Sequence, residues 1–141
     1  MIVHAGLIAA RIKGVWRGVL IEGPSGGGKS DLALRALDQG FSLVADDRTL
    51  LWASDGRLFG RAPEALYGLM EVRGLDVVAH SALSLCGVAL VARCGEAVER
   101  LPERQTVNRL GLQVPALSIA PFEASAPAKL GRALEHLGGC P

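Results

Sequence analysis

Gly23-Pro24-Ser25-Gly26-Gly27-Gly28-Lys29-Ser30 is a glycine, four intervening residues and then Gly-Lys-Ser, a spacing suited to holding phosphate. Glycines let the backbone turn tightly enough for successive N–H groups to point inward at phosphate oxygens. A helix starting at the end of such a loop adds free N–H groups and the positive end of its dipole. Lys29 supplies a cation for the β- and γ-phosphates, and the Ser30 hydroxyl supplies a ligand for Mg2+. The eight residues therefore predict a loop that grips a nucleoside triphosphate.

A metal at those phosphates needs acidic ligands beyond one hydroxyl. Asp46 and Asp47 close the apolar run 41–45, at the carboxyl end of an expected strand, where the ligands of open α/β sheets gather. Adjacent strand residues face opposite ways, so the two acids are expected to differ in role. One takes a proton from an attacking hydroxyl, and the other holds or orients the metal. On pattern alone, Glu71 in Glu71-Val72-Arg73-Gly74 reads as a strand end carrying an ion pair. By the same measure His4 reads as a structural histidine, and for Arg109 a surface cation and a functional one are equally open.

The elements that must position these residues follow from apolar periodicity. A mostly apolar run, 7–12, precedes a hairpin arm at 15–17 that enters a buried strand at 18–22, directly before the glycine loop. Behind the loop, Ala33, Leu34, Ala36 and Leu37 share one face of a helix predicted over 30–39, with Gly40 as its cap. The stretches 49–53 and 58–61 flank the hairpin turn Ser54-Asp55-Gly56-Arg57. Pro63 suits the first position of a helical turn over 64–69. Residues 70–72 and 77–79 are short apolar stretches, and 88–92 is a further strand. Beyond Glu96 the pattern weakens: Pro102, Pro115, Pro121 and Pro127 punctuate a region expected to be loop-rich, before a closing helix over 128–137. Strands alternating with helices and hairpins predict one α/β domain over 1–141.

Composition narrows the class. Of the 141 residues, 50% are hydrophobic and 21% charged, which excludes a disordered chain. A net charge of +1 with no clustered basic stripe argues against nucleic acid as a partner. Cys86, Cys94 and Cys140 are unevenly spaced and odd in number, so reduced thiols are expected rather than disulfides or a zinc site. No apolar run approaches the length of a membrane span, and Arg11 and Lys13 follow the first apolar run rather than precede it, so a cytoplasmic location is expected.

The runs Val19-Leu20-Ile21-Glu22-GPSGGGKS-Asp31-Leu32-Ala33-Leu34, Leu43-Val44-Ala45-Asp46-Asp47 and Met70-Glu71-Val72-Arg73-Gly74-Leu75 together resemble the catalytic domain of HPr kinase/phosphorylase. Glu-Val-Arg-Gly-Leu is similar to that family's own signature. The resemblance extends from about His4 to Gly111, and the tail from Pro121 to Leu137 is similar to that of short members consisting of the catalytic domain only. It implies a fold like that of HPr kinase and phosphoenolpyruvate carboxykinase, and ATP- and Mg2+-dependent phosphorylation of a serine on HPr, the phosphocarrier protein of the sugar phosphotransferase system. It also implies an oligomer, a hexamer in many members. Carried over by residue, Lys29 holds the phosphates, Ser30 and Glu71 bind Mg2+, Asp46 takes the serine proton, and His4 and Arg109 support catalysis, with His4 close to Asp46.

This sequence departs from the family pattern in three places. Asp76 stands where the signature has a second glycine, and His4 is followed by Ala-Gly rather than by glycine at once. No Pro-Val-x-Pro-Gly-Arg-like segment is recognisable around 114–121, which leaves the reverse phosphorolysis without support. A kinase for a small metabolite, or a nucleotide-binding regulator with little catalysis, would use the same glycine loop.

Overall fold

Three segments are apolar through their middles and lie side by side at the centre of the sheet. They are β2 (Gly6–Ile12), β3 (Val15–Glu22) and β9 (Cys86–Cys94). The computed structural model describes residues 1–138. Gly139 and Cys140, which follow the expected closing helix, lie outside the described residues.

The remaining strands are β1 (Ile2–Val3), β4 (Ser42–Ala45), β5 (Thr49–Ser54), β6 (Arg57–Arg61), β7 (Leu69–Val72), β8 (Asp76–Ala79), β10 (Gln105–Arg109) and β11 (Leu112–Ile119). The helices are α1 (Lys29–Leu37) and α2 (Ala126–His136), with a short 3-10 turn at Glu64–Leu66. The main sheet runs β1-β5-β6-β9-β3-β2-β4, and β7 and β8 form a separate hairpin. The sheet forks at β9: β6 pairs antiparallel with its start, at Gly87 and Cys86, while β11 pairs parallel with its end, from Val91 to Cys94. This fork curls the mixed sheet.

Side chains alternate between two cores, as the pleat requires. Ile8, Val19, Ile21, Leu90 and Ala92 face the layer containing Leu32 and Ala36 of α1 and Leu130 and Leu134 of α2. Leu7, Ala9, Leu20 and Val91 face the other way, against Leu51, Leu58 and Val114. A bulge switches β9 between the cores: Gly18 pairs with Val88 but Val19 with Leu90, which skips Ala89. Cys86 and Cys94 are buried free thiols, as expected, and burial pushes Cys86 up to about 12. No helix among the described residues is long and apolar enough to cross a membrane.

The structure corrects two expectations. The region beyond Glu96 is not merely loop-rich, because β10 and β11 form a hairpin inside it. Pro115 is tolerated because the pairing of β11 with β9 begins only at Ala116. The turn after Pro63 is a 3-10 turn of 3 residues rather than a helix reaching 69, and Leu69 already belongs to β7.

Candidate functional site

The parallel strands β3, β9 and β11 deliver their carboxyl ends to one edge of the sheet. Antiparallel pairing brings the start of β2 and the end of β4 to the same edge, since Gly6 pairs with Ile21 and Leu7 with Ala45. His4, residues 23–28, Asp46 and Asp47 come from the loops at that edge, and Lys29 and Ser30 open α1 directly behind the glycine loop.

The glycine loop joins β3 to α1. Its first glycine lies against the last residue of β9, where a Cβ on Gly23 would meet the Cys94 carbonyl oxygen at 2.8 Å. At its other end Gly28 has φ 91, a left-handed conformation that side chains disfavour, and the helix starts at the next residue. Lys29 is 8% exposed, and its ammonium curls back to donate to the carbonyls of Gly23 (2.7 Å) and Pro24 (3.0 Å). The cation is thus held at the mouth of the loop.

Opposite the loop stands a wall of carboxylates. Asp46 lies just past β4, and its Oδ2 accepts a hydrogen bond, at 3.0 Å, from the backbone N–H of Glu71. Asp47 has φ 64, in the left-handed region that Asp tolerates better than most residues, and this redirects its side chain. His4 Nε2 lies 2.6 Å from Asp47 Oδ1. The two acids take different partners: Asp46 accepts from the Glu71 N–H, and the imidazole, expected close to Asp46, pairs with Asp47 next to it. The cause is that Asp47 has left the strand and no longer follows its alternation.

Burial raises Asp46 above the ordinary carboxylate value. The N–H of Glu71 opposes this, the negative charges of Asp47 and Glu71 add to it, and the Ser30 hydroxyl opposes it again. A half-buried carboxyl of raised pKa is the kind of group that can exchange a proton.

Glu71 arrives on the β7–β8 hairpin, which Met70 anchors in the core beneath α1 and α2. The loop faces a cavity of about 450 Å3, lined among others by His4, Lys29, Ser30, Asp47, Glu71 and Arg73, while Asp46 borders Asp47 and the Glu71 N–H without joining that lining. Asp76 is not among its lining; it opens β8 without a left-handed φ and caps its neighbour Val77, so replacing a glycine there costs no strain.

Arg109 is not brought into this cavity. Its guanidinium pairs with both oxygens of Glu22, with Nε to Oε2 at 2.9 Å, and Nη1 donates to the Asn108 carbonyl. The hydrogen bond to Glu22 raises Arg109 further above its already high value. Because Glu22 is the last residue of β3, the pair braces the entrance of the glycine loop.

Among the described residues no three His, Cys, Asp or Glu side chains stand close enough to cage a metal by themselves. The oxygens of Ser30, Asp47 and Glu71 are nonetheless hard donors in a region of unbalanced negative charge. That set fits Mg2+, which binds through one or two carboxylates and completes its shell with phosphate oxygens and water.

Two features escaped the sequence reading. Glu22 had no signal of its own, since its role depends on Arg109, which lies 87 residues away. Phe122 lines the same cavity from the turn after β11, a strand hidden within an expected loop region.

Comparison with known proteins adds the lineage. Residues 2–124 match the family model described as the HPr serine kinase C-terminal domain. HPr kinase/phosphorylase of Clostridium perfringens is 47% identical over 66 residues, covering 47% of this chain and 22% of the relative. HPr kinase/phosphorylase of Streptococcus sanguinis is 35% identical over 124 residues, covering 82% of this chain and 39% of the relative. The chain thus spans well under half the length of these curated relatives. In fold it is similar to the HPr(Ser) kinase/phosphatase of Coxiella burnetii, with TM-score 0.78, 23% identity, and coverage of 96% of this chain and 95% of that one.

Proposed function

Because the chain belongs to the family of HPr serine kinase C-terminal domains, we propose that it is a phosphotransferase moving the γ-phosphoryl of ATP to a seryl hydroxyl of HPr. The observation that carries this reading is the glycine loop at the head of α1, with the buried Lys29 at its mouth and Asp46, held by the Glu71 N–H at 3.0 Å, at the same edge of the sheet. The catalytic unit is the single domain of residues 1–141.

In this reading the N–H groups of the glycine loop hold the phosphates, and Lys29 turns from the carbonyls of Gly23 and Pro24 to the phosphate oxygens. Asp46 accepts the proton of the seryl hydroxyl as its oxygen bonds to phosphorus and the bond to the leaving phosphate breaks. A hydroxyl is a weak nucleophile at neutral pH, so a carboxylate of raised basicity lowers the cost of that transfer. The N–H of Glu71 orients Asp46, and His4 orients Asp47. Ser30, Asp47 and Glu71 would hold Mg2+, which supplies charge neutralisation at the transferring phosphoryl group. Arg109 acts through Glu22 as a positioning residue for the loop.

The test is incubation with γ-labelled ATP, Mg2+ and purified HPr. The expected outcome is label on a seryl residue of HPr; absence of that label overturns the reading.

A further inference from the structure

Phe122 is 70% exposed, yet its position is fixed from two sides. Its ring lies against the glycine loop: a Cβ on Gly28 would meet Phe122 Cζ at 2.8 Å and Pro121 Cγ at 3.0 Å. Behind it, Arg35 of α1 donates from Nη2 to the carbonyl of Pro121 and from Nη1 to that of Glu123 at 3.0 Å. One guanidinium therefore grips the backbone on both sides of Phe122, and Asp31, one turn earlier on α1, holds that guanidinium through Nε at 2.9 Å. A planar fork of five donors is well suited to such a multidentate grip.

This construction places an exposed aromatic ring in the lining of the cavity, with its tip against the glycine loop. Ligand pockets take their apolar contact from aromatic side chains set in their lining, and Phe122 occupies such a place. The location narrows what binds there. Residues 120–125 follow the carboxyl end of β11, which is parallel to β9, which is parallel to β3. The Phe122 turn therefore stands on the same edge as the glycine loop, where α/β sheets bind their ligands. A nucleotide with its phosphates in the loop must place its base elsewhere along that edge.

We propose that Phe122 is the stacking platform for the nucleobase, with Arg35 as the residue that positions it. The proposal rests on the phosphate-loop reading above and extends it to the other end of the ligand. An aromatic ring has a face for any base, so the recognised chemistry is a planar aromatic ring joined to a triphosphate.

The test compares Mg2+-ATP with inorganic tripolyphosphate, which keeps the phosphates and lacks the base, by calorimetric binding. Phe122→Ala should weaken ATP binding about tenfold while tripolyphosphate stays within about twofold. Phe122→Trp should keep ATP affinity within about threefold of the native chain, and its new indole fluorescence should be quenched by ATP but not by tripolyphosphate. Arg35→Ala should raise the KM for ATP with little change in kcat, again sparing tripolyphosphate. Unchanged ATP affinity in Phe122→Ala, or equal weakening of both ligands, overturns the stacking role, because a ring that only supports the loop would affect both alike. If the native chain binds neither ligand, the phosphate-loop reading itself falls, and the two failures are told apart.

Discussion

The glycine loop and the carboxylate wall face each other across one cavity but are assembled in opposite ways. The loop is one continuous segment, 23–30, whose shape depends on its own glycines and on the helix that starts behind it. The wall is gathered from far apart: His4 reaches Asp47 across 43 positions, and Asp46 reaches Glu71 across 25. The loop has the buried Lys29 at its mouth, whereas the wall is more open and gathers three carboxylates whose charges oppose one another. The difference suggests a division of labour, with the loop controlling whether nucleotide is held and the wall controlling whether the phosphoryl group moves.

Substitutions on each side can break that division. The largest effect is expected from Lys29→Ala, which should cut phosphotransfer on the order of a thousandfold and also weaken ATP binding, as measured by rate and calorimetry. Unchanged values in both assays would remove the loop from the mechanism. Asp46→Asn should lower the rate on the order of a hundredfold with ATP affinity nearly unchanged. Parallel losses of binding and rate would mean that wall and loop act as one unit.

The same variant tests the raised pKa. A carboxyl whose pKa is raised in the folded state contributes stability below its unfolded pKa and loses it as pH rises through the folded value. Asp46→Asn removes that loss, so its melting temperature should exceed the native one at pH 7, with the gain fading towards acid pH. The forward rate itself should fall on the acid side as Asp46 is protonated. Asp47→Asn should move that acid limb to lower pH, because it removes a neighbouring negative charge that holds Asp46 up. A limb that stays in place would assign the titration to another group. The smallest effect is expected from His4→Ala on stability: both partners of its ion pair are substantially exposed, so unfolding should change by about 1 kcal/mol or less.

Hairpins show how much of the fold could be read in advance. Asp55-Gly56 turns β5 into β6 with φ 51 and 74, and an Asp-Gly pair announces such a turn openly. Leu110-Gly111 turns β10 into β11 with φ 51 and 83, nearly the same geometry. Leucine is a poor advertisement for a left-handed residue, and Pro115 lies inside the following strand, so both local signals pointed away from a hairpin. Pairing with β9 and burial of Val114 and Ala116 outweighed them. Phe122 stayed hidden for the same reason, since its place on the site edge depends on β11 being a strand.

Sequence alone determined the glycine loop and the helix that starts behind it, because its spacing, its glycines and its Lys-Ser ending act over a few bonds and need little from the rest of the chain. It also marked Asp46, Asp47 and Glu71 as candidates, through their places in short runs. Which acid meets which partner was decided by tertiary structure. The left-handed turn at Asp47 gave it the imidazole, and the β7–β8 hairpin carried the Glu71 N–H to Asp46. Sheet order likewise set Arg109 behind the loop on Glu22 and raised Phe122 beside Gly28. Desolvation of Asp46 has the same origin, since burial is a property of everything packed around a residue and cannot be written in its neighbours along the chain.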